Sequence, residues 1–207
     1  MKARLPTPGG VANRVKAHSL HRLAPCPGRE SIAFILFRYF RSMLTGLPPL
    51  VCPQTRLLIL GSFPGAASLA AQQYYGHPQN NFWRILQAIW PCSPIAMGSD
   101  GYQIRSNWLL SKGLGLWDVY AACERQGSLD SSIRNPVLND FAGLIKACPD
   151  LQAIAHNGAE SFSHARHTAL FGLAVYKLPS TSPANAAWSF ERKLAAWHEV
   201  FKIHGLI

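Results

Sequence analysis

The sequence predicts an α/β fold, a three-layer α/β/α sandwich around a four-stranded parallel sheet. Four short apolar runs alternate along the chain with segments whose apolar residues recur at helical spacing. The first run, residues 57–60, is apolar at every position and ends at Gly61, which is typical of a strand buried on both faces. Strands that alternate with helices favour a parallel sheet that is covered by helices on both sides.

Turn residues bound the predicted strands. Gly113 precedes the second run, Pro149 precedes the third, and an Asn157-Gly158 pair, a common turn, follows the third. The predicted strands are residues 56–61, 114–120, 151–156 and 173–178.

The helices are predicted from apolar spacing and from residues that favour helix ends. Phe82, Ile85, Leu86 and Ile89 recur at helical spacing, and one of the two asparagines before them is suited to cap that helix. A polar loop is expected over residues 127–136. The predicted helices are residues 69–73 with Ser68 as cap, 82–90, 102–111, 137–148, 158–170 and 185–204, the last with Trp188, Leu194, Trp197 and Phe201 as its apolar stripe.

Composition favours one folded domain with a basic extension. The chain has 207 residues, of which 48% are hydrophobic and 14% charged, so it can bury a core. Residues 1–42 hold eight of the twenty Lys and Arg residues and one acid, so most of the net charge of +10 lies there. We interpret residues 1–42 as a basic, disordered extension and residues 43–207 as the functional domain. Met43 is a candidate for the true start; a basic arm that adds non-specific DNA affinity is the alternative.

The cysteines and the hydropathy pattern exclude several classes of protein. The cysteines have no zinc-site or C-x-x-C spacing, so we expect no metal, no cofactor and free thiols in a reducing cytoplasm. The sequence contains no apolar run of the roughly 18 residues that a membrane span needs. The cysteines are Cys26, Cys52, Cys92, Cys123 and Cys148.

The segment after the first strand carries the strongest functional signal. Gly61-Ser62-Phe63-Pro64-Gly65 predicts a tight loop that another molecule can approach closely. Ligands of open parallel sheets bind beyond the carboxyl ends of the strands. Aromatic and amide side chains follow, which suits a flat ligand, although a turn and core aromatics would give a similar pattern: Tyr74, Tyr75, His77, Asn80, Asn81, Phe82 and Trp83.

Two sequence blocks resemble those of the uracil-DNA glycosylase superfamily. The first is G-S-F-P-G…Y-Y-G-H-P-x-N-x-F-W over residues 61–83, which looks like the hypoxanthine (deoxyinosine) branch. The second, L-P-S-T-S-P-A-N-A over residues 178–186, resembles the loop of that superfamily that enters DNA. The resemblance covers residues 43–207 and implies a DNA glycosylase domain of base excision repair. Its expected partner is DNA that contains deaminated bases, and we expect a monomer. The cysteine pattern does not match the branches that hold an iron–sulfur cluster.

The resemblance assigns roles to individual residues. It implies that Asn80 is the catalytic amide and that Tyr75 stacks on a base flipped out of the duplex. The other expected base-binding residues are Ser62, Phe63 and Asn157. The expected DNA-binding residues are Pro64, Gly65, Ser180, Ser182, Pro183 and Asn185, with Arg192 and Lys193 as further candidates for phosphate contacts.

Each of these residues also has a structural alternative. Asn80 and Asn185 could cap helices, Asn157 could form a turn, and Tyr75 could pack in the wall. We expect His156 to be structural. Asp118, near the end of the second predicted strand, could accept hydrogen bonds from a neighbouring loop, so we expect a structural role first and a catalytic role second.

The first loop lacks the Asp or Asn with which better-known branches orient the attacking water, and this absence favours hypoxanthine over uracil. The predicted activity is therefore a monofunctional deoxyinosine glycosylase. No lysine in the motif loops could form a Schiff base, so strand cleavage is not expected. The alternatives are a uracil or mixed deaminated-base glycosylase, and a non-catalytic nucleobase-binding α/β module. A small-molecule hydrolase is disfavoured because the sequence has no G-x-S-x-G motif.

Overall fold

The computed structural model describes residues 43–96, 98 and 101–207, so the extension predicted for residues 1–42 lies outside the described residues. The strands are β1 (Leu44–Thr45), β2 (Leu57–Gly61), β3 (Leu114–Asp118), β4 (Tyr120–Glu124), β5 (Arg134–Leu138), β6 (Ala153–Asn157) and β7 (Ala174–Leu178). The helices are α1 (Ala66–Ala71), α2 (Phe82–Ile89), α3 (Tyr102–Ser111), α4 (Phe141–Ala147), α5 (Ala159–Phe162), α6 (Ala165–Ala169) and α7 (Phe190–Ile203).

The predicted parallel sheet is confirmed. Its strand order is β3-β2-β6-β7, and every neighbouring pair is parallel. Strands β2, β3 and β6 are buried at every position, as their continuous apolar runs predict. Because the four strands run in the same direction, their carboxyl ends lie along one edge of the sheet. Those ends are Gly61, Asp118, Asn157 and Leu178.

The two faces of β2 pack into two different hydrophobic clusters. Side chains of a strand alternate between its faces, so Leu57 and Ile59 face one cluster and Leu58 and Leu60 face the other. The first cluster contains residues of α2, α3 and α7, and the second contains residues of α4. The sheet is therefore the middle of three layers, as the sequence predicts.

A second, antiparallel sheet was not predicted. Its order is β1-β4-β5, and it contains two segments that the sequence assigned otherwise. The predicted strand 114–120 ends at Asp118, and the chain then enters β4. Strand β5 occupies the end of the predicted loop 127–136 and the start of the predicted helix 137–148, which begins only at Phe141. β5 is exposed throughout and contains Pro136, which an edge strand tolerates. Neither a continuous apolar run nor an alternation of apolar and polar residues therefore identified it as a strand.

Two further predicted helix starts are wrong, and one predicted helix is divided. Ser68 lies inside α1 and its Oγ accepts from the Gly76 N–H, while Gly65 precedes the helix. The last helix begins at Phe190, where the Ser189 side chain accepts from the Arg192 N–H, so Asn185 caps nothing and Trp188 lies before the helix, 38% exposed. The predicted helix 158–170 is divided into α5 and α6. Within the described ranges, no helix has the length and apolar character that a membrane span requires.

The buried His156 joins β6 to the two short helices that follow it. Its Nδ1 lies 2.8 Å from Ser161 Oγ and its Nε2 lies 2.9 Å from Thr168 Oγ1. Ser161 donates its own proton to the Leu60 carbonyl, so Nδ1 carries a hydrogen, while the Thr168 hydroxyl lies between Nε2 and the Ala165 carbonyl. Burial lowers the pKa of His156 to about 4, so the imidazole is neutral at pH 7. These contacts give His156 a structural role.

The neutral state of His156 makes stability depend on pH. In the unfolded chain the imidazole takes up a proton below pH ~6.5, whereas the folded protein resists this until about pH 4. The stabilisation is therefore complete above pH ~6.5 and falls by about 2 kcal/mol by pH 5. We expect the gap in unfolding free energy between wild type and His156→Gln to narrow by that amount between pH 7.5 and 5 in denaturant titrations. A constant gap would contradict a neutral buried His156.

Candidate active site

Thr181 joins the two motif segments at the carboxyl edge of the sheet. It is fully buried, its N–H donates to Asn157 Oδ1 at 2.9 Å, and its Oγ1 accepts from Asn157 Nδ2 at 3.0 Å. The Thr181 carbonyl accepts from the Asn81 N–H at 2.9 Å. The end of β6, the start of α2 and the loop after β7 are thus fixed to one residue. Thr181 lies within the second motif, but no role was predicted for it.

Tyr75 lies beside this junction. Its ring stacks on Phe82 with 4.0 Å between the ring centroids and 23° between the planes. One face of the ring is therefore covered, and a base could stack only on the other. The Tyr75 hydroxyl is buried and forms no hydrogen bond of acceptable geometry. The Asn157 amide is nevertheless close enough to lower the pKa of Tyr75. Burial and the nearby Asp118 outweigh that effect and raise the pKa of Tyr75.

Asn80 forms a turn just before α2. Its Oδ1 accepts from the Phe82 N–H at 2.9 Å, but the N-cap position belongs to Asn81, whose side chain makes no capping bond, so the predicted cap by an asparagine side chain is absent. The side chain is half-buried. Because the backbone engages one lone pair of Oδ1, Asn80 can offer the Nδ2 hydrogens and the second lone pair of Oδ1 to a bound molecule.

The first loop is held in place by Arg125 and Asp130. The Arg125 guanidinium lies 5.0 Å from the centre of the Phe63 ring and donates to the carbonyls of Phe63 and Pro64. Ser62 Oγ donates to Asp130 Oδ1 at 2.6 Å. Phe63 is 5% exposed and packs in the second hydrophobic cluster, so its ring anchors the loop to the hydrophobic core. These contacts fix the loop before any ligand binds.

Asp118 is a buried acid at the same edge of the sheet. It is paired with Gly61 across β2 and β3, is 4% exposed, and its Oδ2 has no hydrogen-bond partner. A Cβ at position 61 would collide with Asp118 Oδ1, so a larger residue there would displace the Asp118 carboxyl group. Burial raises the pKa of Asp118 to about 7, with Asp130 adding to the rise and Arg125 opposing it. The sequence shows an acidic residue at a strand end, which made Asp118 a candidate, but it does not show that the side chain is buried.

The second loop is pinned at both ends. Asn185 Nδ2 donates to the Ser180 carbonyl at 3.1 Å, and the Asn185 carbonyl accepts from Lys193 Nζ at 2.9 Å. Lys193 is 2% exposed, so it is neither a solvated residue nor placed as a free phosphate contact. Ser182 is half-buried between these points, while Pro183 and Ala184 are exposed at the tip.

The structure therefore brings together most of the residues predicted for the site. Tyr75, Asn80 and Asn157 meet the second loop around Thr181. Pro64 is buried, and Gly65 is the half-buried part of the first loop. A separate pocket of about 670 Å³ lies at the opposite, amino end of the sheet, where Arg56, Lys112 and Gly113 are among its lining residues. That pocket contains none of the predicted site residues.

The Asn157–Thr181 pair can be tested by removing one hydroxyl. Thr181→Val keeps the side-chain shape but leaves the buried Asn157 Nδ2 without its acceptor, which costs about 1–3 kcal/mol. Thr181→Ser keeps the acceptor and is the matched control, with a smaller loss of about 1 kcal/mol for the missing methyl group. Denaturant titration of both variants checks this. Equal stability of Thr181→Val and wild type would contradict the arrangement.

Comparisons with known proteins agree with this architecture. The family model of the Uracil DNA glycosylase superfamily matches residues 48–201. A hypoxanthine DNA glycosylase from Methanosarcina barkeri is 37% identical over 161 residues, which are 76% of this chain and 97% of the relative. A protein of the same name from Methanosarcina acetivorans is 36% identical over an equal span, with the same coverage.

A solved structure gives the same result. The solution NMR structure of a candidate uracil DNA glycosylase from Methanosarcina acetivorans has a TM-score of 0.68 and 34% identity, and the match covers 79% of this chain and 99% of that one. The resemblance inferred from the two sequence blocks is confirmed. Family match, fold and motif placement lead to one conclusion: this chain belongs to the uracil DNA glycosylase superfamily.

Proposed function

We propose that the protein is a monofunctional DNA glycosylase that releases hypoxanthine from deoxyinosine. The convergence of Tyr75, Asn80 and Asn157 around the buried Thr181 is the observation that most supports this function. The relatives named hypoxanthine DNA glycosylase support the same substrate. An aromatic face and carboxamides at strand ends are the groups needed to hold a flat base by stacking and by its polar edge.

The substrate base has to leave the duplex, because the glycosidic bond is not accessible inside the stack. In this proposal the flipped hypoxanthine stacks on the face of the Tyr75 ring that is turned away from Phe82. Asn157 Nδ2 has a second hydrogen for O6, and its Oδ1 has a second lone pair for N1–H, since Thr181 uses one of each. The hydrogen bonds to Thr181 hold that amide in one orientation.

Asn80 supports the departure of the base. Water adds to the sugar C1′, the C1′–N9 bond breaks, and its electron pair leaves with hypoxanthine. An amide is not a strong base, so Asn80 helps by donating Nδ2–H to the developing charge and by positioning water. Its carbonyl is held by the Phe82 N–H, which orients Nδ2 before the substrate arrives.

The two loops at the strand ends are the proposed DNA contacts. Gly65 approaches one side, whereas the predicted contact from Pro64 is wrong because Pro64 is buried, has no N–H and its carbonyl accepts from Arg125. Ser180, Ser182 and Asn185 contribute hydroxyl and amide groups to phosphate. The exposed Pro183-Ala184 tip is placed to enter the gap that the flipped base leaves. Neither motif loop contains a lysine that could form a Schiff base, so the expected product is an intact abasic site rather than a cleaved strand.

The substrate is tested with oligonucleotides that each contain one hypoxanthine, uracil or xanthine. We expect release of hypoxanthine at the highest rate, measured as alkali-sensitive abasic sites. Release of uracil alone would assign the protein to the uracil branch. If no base were released from any oligonucleotide, the protein would be a binding module and the proposed activity would be wrong.

Asn80 is tested by separating its two functions. Asn80→Ser keeps an oxygen that can accept from the Phe82 N–H but removes the amide donors, so we expect near-wild-type stability and a rate at least about 100-fold lower. Gln79→Ala removes the exposed neighbouring carboxamide and is the matched control, with an unchanged rate. Single-turnover rates and thermal unfolding provide the measurements. Full activity of Asn80→Ser would remove the assigned role and leave the glycosylase activity in place.

A further inference from the structure

A buried carboxyl group and a buried hydroxyl lie beside Gly61. Asp118 Oδ2 and the Tyr75 hydroxyl are both enclosed and neither forms a hydrogen bond of acceptable geometry, although the Asn157 amide lies near the hydroxyl. An ideal Cβ built on Gly61 would collide with Asp118 Oδ1 and lie 3.6 Å from the Tyr75 hydroxyl, so both groups approach the same point of the backbone. Buried polar groups without partners are rare and costly in folded proteins. This pair therefore indicates a position that a bound molecule completes.

The position is suited to a water molecule. A buried water typically makes two to four hydrogen bonds to polar groups that would otherwise be unsatisfied. A carboxylate oxygen accepts and a phenol hydroxyl donates, so one water could bond to both. The position also lies at the carboxyl end of β2 and β3, next to the ring on which the base is proposed to stack.

We propose that Asp118 is the general base of the reaction, and that it supplies from β3 the carboxylate that the first loop lacks. This inference rests on the proposed glycosylase function and goes beyond it, because Asn80 alone can orient a water but cannot take its proton. The Tyr75 hydroxyl holds the same water, in addition to the stacking role of its ring.

The proton and electrons balance in one hydrolytic step. The water oxygen forms a bond to C1′, and the C1′–N9 bond breaks with its electron pair leaving on hypoxanthine. The proton of the water passes to Asp118 and is then released to solvent. The hypoxanthine anion takes up a proton from solvent after it leaves.

The charges around Asp118 set the pH at which it can act. Arg125, which follows β4, favours the ionised form, and Asp130 of the 3-10 turn disfavours it. Tyr74 and Tyr75, from the loop before α2, are close enough for Asp118 to raise their pKa values. Burial is the largest influence and raises the pKa of Asp118 to about 7. The base is therefore ionised above neutral pH and protonated below it.

The test is a pH profile of the single-turnover rate with enzyme in excess over a hypoxanthine-containing oligonucleotide. For wild type we expect the rate at pH 6 to be about tenfold below that at pH 8, because one unit below its pKa only about a tenth of the carboxyl is ionised. Asp118→Asn keeps the side-chain volume but cannot accept a proton. Its rate should be at least about 100-fold lower at pH 8 and should not vary with pH. Tyr75→Phe keeps the ring and should lower the rate with unchanged DNA binding.

Asp140→Asn is the matched control. Asp140 is exposed and caps α4 by accepting from the Gly143 N–H, a role that asparagine fills equally well, so its rate and pH profile should equal those of wild type. Thermal unfolding and binding to uncleaved DNA check that Asp118→Asn folds. The wild-type profile needs no substitution, so it remains decisive if that variant is unstable.

The outcomes separate this inference from the proposed function. Activity that rises through neutral pH in wild type and is lost in Asp118→Asn supports the general base. A flat wild-type profile, or an Asp118→Asn variant within a few-fold of wild type, would reduce Asp118 to a structural acid while the glycosylase function stands. A wild type that releases no base would overturn both.

Discussion

The candidate site depends on the pair of hydrogen bonds between the Asn157 side chain and Thr181. Both residues are buried, so neither could exchange these bonds for water without a loss of stability. The pair fixes the second loop to the end of β6, and the bond from the Asn81 N–H to the Thr181 carbonyl fixes α2 to the same point. Two motifs that are about a hundred residues apart in the chain thus act as one surface.

Buried charge organises the other side of the site. Arg125 is 8% exposed, covers the Phe63 ring and binds the carbonyls of the first loop. It also faces Asp118, whose ionisation it favours against burial. The loop and the acid are therefore arranged in the absence of substrate, which is the preorganisation that electrostatic catalysis requires.

The parallel sheet was predictable because its strands have both faces buried, which produces continuous apolar runs between turn residues. The antiparallel sheet was missed for the opposite reason. Strand β5 is exposed at every position, so its residues carry no alternation of apolar and polar side chains. The prediction of helix ends was wrong where more than one nearby residue could cap the helix. Ser68, Asn185 and Ser189 all have side chains that can cap, and only the packing of α1 and α7 selected among them.

The sequence by itself determined that strands and helices alternate along the chain to form a parallel sheet. It also determined the two motifs and the residue types of a base-binding site. These follow from local patterns, since apolar spacing and turn chemistry are properties of neighbouring residues. Only the tertiary structure decided that Thr181 is the junction, that Phe63 supports the loop from the core, and that Lys193 is buried. It also placed Asp118 without a partner beside Gly61. Burial and pairing of polar groups arise from contacts between distant segments, which no local pattern records.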